Sequence, residues 1–394
     1  MSIRAACLIV TALGGITSAC VAQTQPASRP QPVDWREQEK GILANQVQLT
    51  FPGRFVKAGE SYFSPDDSKI IFQAVATPPP GEAEEPFYGM FVADVARSAA
   101  GRITGIEHIR RISPLGSANT CGWFHPTDPG VVIFGSTITR PTAEEAPGFE
   151  RLSGRYRWMF PPQMRIVSCR LDQADGTANS LEVLIGDDEA YQAECSLSRD
   201  GSLLLYCSME SNRGDLFVKD LDAGRTTALV QSPAYDGGPF FSPQGRRICY
   251  RADRRRKHYL QLYVADLDFD EQGNVVGLGR EYQLTDNEHV NWGPFWHPGG
   301  RFLVYATSEM GHTNYEVFLI DADPGDRPGS TGSIKYGTRK RRVTHAARAD
   351  VLPAFSADGK TLIWTSQRGA GKASQVWAAD FVMELDATVA SNDS

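Results

Sequence analysis

The side chains best suited to chemistry in this sequence are four histidines, a set of amides and carboxylates, and five cysteines. His258, His289, His312 and His345 fall in polar loops of the second half of the chain. Imidazoles converging from such loops could hold a transition metal. No two of them stand in an HxH or HExxH spacing, so the alternative is a set of solvated loop histidines. Asn119, Gln192, Asp236, Asn291 and Asp350 form a second set. Each stands three positions before a Pro, Gly or Cys that opens an apolar strand, with Ala58 the exception in the corresponding place. Acceptors repeated at one step could hold water, a cation or a partner's basic side chains, or could simply cap their own turns. Beyond residue 22 the cysteines are Cys121, Cys169, Cys195, Cys207 and Cys249, an odd number without a CxxC pair. Counting outward from the turn at Arg199 to Ser202 sets Cys195 opposite Tyr206, so no disulfide with Cys207 is expected. GxSxG, Walker A and dinucleotide-binding sequences are absent, no catalytic residue is assigned and no cofactor is expected.

The elements that must position these residues come from internal repetition. One phrase recurs through the chain: an aromatic or apolar residue, a Ser or His, a turn, an apolar strand, a polar loop, and an apolar strand ending in Asp. Its copies are YFSPDDSKIIFQA…MFVADV (62–95), WFHPTDPGVVIFGS…RIVSCRLD (123–172), SLSRDGSLLLYCSMESNRGDLFVKDLD (196–222), FFSPQGRRICYRADRRRKHYLQLYVADLD (240–268), FWHPGGRFLVYATSEMGHTNYEVFLIDAD (295–323) and AFSADGKTLIWTSQRGAGKASQVWAADF (354–381). In Ser242-Pro243-Gln244-Gly245 the residue types match a type I turn, which folds two short strands into a hairpin. Alternating, β-branched and aromatic residues from Arg247 to Tyr250 and from Leu260 to Asp266 supply strands, and YQLT (282–285) supplies another. Four strands per copy is the unit of a propeller blade, so an all-β, six-bladed β-propeller of antiparallel blades is expected. His125 and His297 replace the turn Ser in two copies and read as structural.

The last copy ends near Phe381 without a fourth strand, while Gln46-Val47-Gln48-Leu49-Thr50 precedes the first copy and matches YQLTD (282–286). This N-terminal strand is expected to complete the last blade and close the ring over 46–382, because an open array would expose two sheet edges. Ahead of it, Arg4, the apolar run Ala5 to Ile16 and the small residues Ser18 to Ala22 read as a signal peptide of 22 residues. Cys20 is the one place for a lipid anchor, although Thr17 stands where an aliphatic residue is usual. Residues 23–45 read as a Pro- and Gln-rich tether and lead-in, and 383–394 as a flexible tail. With 394 residues, 22% charged and a net charge of −7, the chain is globular and gives no sign of binding nucleic acid. A monomer is expected, periplasmic or secreted, with Cys20 its only route to a membrane.

The SPxG turns, the LT-containing outer strands and the endings VADLD and FLIDAD resemble the propeller of TolB and related exported propellers, over about Val47 to Phe381. The resemblance is to the propeller half alone, since the tether leaves no room for TolB's α/β domain. Insertions at Thr77 to Phe87 and Arg140 to Met164 depart from the pattern. The second includes the aromatic run Gly154 to Pro162, a docking patch or packing over the propeller's side. The basic run Arg254 to Lys257 is a solvated loop or a contact for an acidic partner. The resemblance implies a protein- or glycan-binding scaffold of the cell envelope, with the five polar residues ringing a channel mouth. The alternative is a metal-dependent polysaccharide lyase resembling oligogalacturonate lyases, which also place histidines at the channel of a TolB-like propeller.

Overall fold

A computed structural model of the protein describes residues 34–142, 148–150, 155–157, 160–322 and 339–385. The expected signal peptide, the tether up to residue 33, Gly154, Trp158 and Met159 of the aromatic insertion and the tail from residue 386 lie outside the described residues.

The repeats form six four-stranded antiparallel sheets, each a blade. Their innermost strands are Phe55–Phe63, Asn119–Phe124, Gln192–Leu197, Asp236–Phe241, Asn291–Trp296 and Asp350–Phe355. A small hairpin, Gly148–Glu150 with Arg155–Arg157, stands apart from the blades. The turn chemistry read from the sequence is visible atom by atom. Ser64, Ser198, Ser242 and Ser356 each accept, on Oγ, the backbone N–H five residues on, at 2.9, 3.0, 3.1 and 2.9 Å. That bond pins the start of the second strand to the end of the first. His125 and His297 do related work with Nδ1, which accepts from the backbone N–H of Asp128 at 3.2 Å and of Gly299 at 3.0 Å. Gly245 ends its turn at φ 69, a left-handed geometry that costs glycine nothing.

Closure is by the N-terminal strand, which runs Leu43–Gln48 and pairs with Gln375–Phe381 through Leu43↔Phe381 and Gln48↔Trp377. It begins three residues before the expected Gln46, because Ile42 and Leu43 are buried against the last blade's Trp377 and Phe381. At its other end Thr50 Oγ1 accepts the Val376 N–H at 2.9 Å. A short helix, Trp35–Glu39, precedes the strand, and Glu39 is fully buried.

The core lies between blades. Leu205, Leu216 and Val218 of the third blade pack on Ile248, Tyr250 and Tyr263 of the fourth, and the fourth's Cys249, Leu262 and Val264 pack on Leu303, Tyr305 and Ile320 of the fifth. Burying each such side chain is worth about 1.5–3 kcal/mol, and a blade covered on both faces reads as a nearly continuous apolar run. The five described cysteines are free thiols, four of them buried, with Cys207 and Cys249 in these two interfaces.

Candidate functional site: a channel closed by aromatic rings

All six inner strands carry a β-bulge at the same step. The register slips between Gly59 and Ser61, Thr120 and Trp123, Ala193 and Ser196, Gly237 and Phe240, Trp292 and Phe295, and Val351 and Ala354. At each slip one residue adopts a left-handed backbone: Glu60 (φ 41), Cys121 (φ 53), Glu194 (φ 57), Gly238 (φ 58), Gly293 (φ 59) and Leu352 (φ 53). For the four that are not glycine this strain costs about 1–3 kcal/mol each, and bulges of this kind re-aim side chains. Here they line a cavity of ≈ 130 Å³.

Its floor is aromatic. Tyr62, Trp123, Phe240 and Phe295, each two residues beyond the bulge position, touch one another with ring centroids 5.2–6.0 Å apart. Four mutually packed rings block the channel. The two insertions contribute Phe87, Phe160 and Met164 to the wall, beside Tyr88, Tyr191 and Trp292. Phe160 packs edge-on to Tyr191 at 4.9 Å and against Tyr235 at 5.7 Å. The departures from the repeat pattern are thus what shape the site.

Its charge is concentrated on two carboxylates and one guanidinium. Glu194 accepts from Tyr235 Oη at 2.8 Å, Tyr191 Oη at 3.3 Å, the Gly238 N–H, and Arg251 Nη2 at 3.1 Å. Arg251 is itself buried, on the second strand of the fourth blade (Arg247–Ala252), and reaches Glu194 across Gly238. A Cβ at position 238 would overlap its guanidinium, so glycine is required there for space as well as for φ. Glu60 is also buried, yet its donors are uncharged: Thr120 Oγ1 at 3.2 Å and Tyr62 Oη at 3.4 Å. Burial raises its pKa above the usual carboxylate value, against hydrogen bonds from Cys121 and Thr120 and the more distant charge of Arg251. Desolvation, with Glu60 and Glu194 nearby, likewise pushes the Cys121 thiol well up, so it stays protonated and unreactive.

The five residues expected at the mouth open their inner strands, two positions before the bulge. All are buried and hydrogen-bonded. Asn119 donates to Tyr88 O at 2.9 Å, and Gln192 donates to Glu210. Asp236 accepts from Arg254 Nε at 2.9 Å and from Ser232. Asn291 donates to Asn287 Oδ1 at 2.9 Å. Asp350 accepts from Trp364 Nε1 at 3.1 Å and Arg368 Nη2 at 2.8 Å. Burial lifts Asp236 to about 6, opposed by Ser232 and Arg254. Of the five, Asn119 lines the cavity. The basic run is tied down in part, for Arg254 pairs with Asp236 and Glu281, and Arg255 with Asp286.

His258, His289, His312 and His345 lie in loops between second and third strands or between blades, which in an up-and-down blade is the end where the inner strands begin. His312 Nδ1 is 3.4 Å from Tyr315 Oη, and burial lowers His345 to about 4. Among the described residues no group of three or more His, Cys, Asp or Glu is gathered to hold a metal ion. The cavity residues Glu60, Glu194 and Arg251 were not singled out from the sequence, and Cys121 was named only among the cysteines. The signal was present: the same alignment places Gly238 and Gly293 at the bulge step, and glycine there hints at a left-handed backbone.

Fold and site together define a six-bladed β-propeller with a small cavity above a floor of packed aromatic rings. No family model matches the chain. It is 27% identical to an uncharacterized protein of Agrobacterium fabrum over 135 residues, 33% of this chain and 42% of that protein. It is 26% identical to the Tol-Pal system protein TolB of Wolinella succinogenes over 194 residues, 48% of this chain and 40% of TolB. The matched stretches span less than half the length of either relative. A solved structure described as a candidate TolB from Agrobacterium tumefaciens superposes with a TM-score of 0.50 at 14% identity, covering 82% of this chain and 90% of that one. The chain is a six-bladed β-propeller, similar in fold to that structure and in part of its sequence to TolB.

Proposed function

We propose that this propeller is exported to the cell envelope and holds a protein or glycan partner at the mouth of its channel. One observation carries the reading: the hollow floored by the packed rings opens at the end where the inner strands begin, and the two insertions add Phe87, Phe160 and Met164 to its wall. Exposed apolar side chains support it. Phe51, Leu115 and Met310 are 54%, 76% and 47% exposed, and all three lie in loops at that end. Export rests on the charged, apolar and small-residue pattern of residues 1–22. No helix among the described residues is long and apolar enough to cross a membrane.

The test is site-specific photo-crosslinking in the envelope from Leu115 and Met310, compared with Val276, which is 54% exposed in an outer strand at the opposite end. Discrete adducts from the first two and none from Val276 are expected. Adducts from Val276 alone, or from none of the three, would reject the mouth as the binding face.

A further inference from the structure

The cavity holds a buried acid, Glu60, that no described Lys or Arg touches, the Arg251 charge acting on it only at longer range. Glu194 has Arg251 at 3.1 Å, whereas among the described residues no Lys or Arg forms an ion pair with Glu60. Glu60 is held in the cavity by a strained backbone and by long hydrogen bonds of 3.2 and 3.4 Å to hydroxyls. The fold does not need an acid at this step, since two other blades use glycine there. As the anion, a buried carboxylate without a counter-cation is unfavourable, and it is relieved either by taking up a proton or by pairing with a cation.

We propose that this cavity receives an organic cation, an ammonium or guanidinium head that pairs with Glu60 and lies against the aromatic walls. Tyr62, Phe87, Phe160 and Trp292 line the same space, and ring faces attract cations most strongly where water is excluded. The rim already shows this chemistry within the chain. Lys57 Nζ stands 4.4 Å over the Tyr88 ring, and desolvation lowers the pKa of that lysine against the pull of Glu84. An anionic head would meet Glu60 and Glu194 together, and a neutral one would leave the Glu60 charge buried and unpaired. The cation has two sources, a free small amine or a Lys or Arg side chain of a docked partner. The second source rests on the function proposed above, and the first does not.

The probe is n-butylammonium chloride titrated into the purified protein, with n-butanol at matched ionic strength as the neutral control, read by intrinsic tryptophan fluorescence and by broadening of the butyl proton signals. Saturable binding of butylammonium is expected, with butanol at least tenfold weaker. Glu60→Gln should weaken the cation about tenfold or more, consistent with loss of one charge-assisted contact, while the thermal melt stays intact or rises. Equal binding of butanol, or undiminished cation binding by a folded Glu60→Gln protein, would overturn the proposal. Competition by butylammonium against crosslinking from Leu115 assigns the cation to the partner's side chain. Binding without competition assigns it to a free amine. Saturable binding with no crosslinked partner sinks only the scaffold reading, and crosslinking with no cation binding sinks only this one.

Discussion

At the closure of the ring Arg368 is wholly buried between two carboxylates, Glu39 at 2.9 Å and Asp350 at 2.8 Å, with Trp35, Trp364 and Trp377 within 4.2–5.7 Å of its guanidinium. In the channel, Arg251 is buried against Glu194 while Glu60 is left with uncharged donors. Both clusters bring charge into the interior, and both are enclosed by aromatic rings. They differ in completeness. The closure cluster fastens the N-terminal helix to the last blade and leaves its cation doubly paired, which is what a structural clamp requires. The channel cluster has the same count, one cation and two acids, but its cation touches Glu194 alone and Glu60 is left to hydroxyl donors. A buried charge that is fully satisfied holds a fold together, and one that is not marks the place where the protein expects company.

The closure cluster should give the larger effect on stability. Arg368→Met removes the cation and strands Glu39 and Asp350, so unfolding in denaturant should show a loss of about 3–5 kcal/mol. Arg368→Lys, which keeps the charge but loses the two-pronged contact with Glu39, should fall between. A loss below about 1 kcal/mol for Arg368→Met would show that strand pairing alone closes the ring.

A smaller effect separates space from backbone strain in the channel. Gly238→Ala and Gly293→Ala face nearly the same φ, 58 and 59. A Cβ at 238 meets Arg251, whereas at 293 the nearest atom is Leu352 Cδ2 at 3.4 Å. Gly238→Ala should therefore cost about 1–3 kcal/mol more than Gly293→Ala in the same denaturation assay. Equal costs would mean that Arg251 is not fixed over the bulge.

Blade number, turn positions and ring closure were legible because each rests on local chemistry repeated along the chain. Ser at the turn, Gly after it and alternating strands recur, and the LT match at residues 49–50 identified the closing strand. The bulge was not legible. It adds one residue to every inner strand: in the third blade Glu194 and Cys195 together face Tyr206, between the pairs Ala193↔Cys207 and Ser196↔Leu205. Sequence reasoning therefore stopped at the strand-opening residues, such as Asp350, and missed the acids two steps on. Arg251 was hidden for another reason. It belongs to a second strand, RICYRA, and only the absence of a side chain at Gly238 lets it into the channel.

Glu60 and Glu194 share one backbone geometry, one cavity and one charge, so replacing each with Gln tests the central claim most directly. Denaturant unfolding at pH 7 should show Glu60→Gln more stable than wild type by about 1 kcal/mol, since an uncompensated buried charge is removed. Glu194→Gln should be less stable by about as much or more, since Arg251 loses its carboxylate. The pH dependence carries the same sign. Because burial raises the Glu60 pKa above 4.5, its charge destabilises the fold progressively as pH rises through the interval above that value. The advantage of Glu60→Gln should thus be absent below about pH 4 and grow as pH rises. Stability changes of opposite sign at pH 7 are the predicted result. Two losses of similar size, with no pH-dependent gain for Glu60→Gln, would contradict the account by showing that Glu60 is as fully satisfied as Glu194.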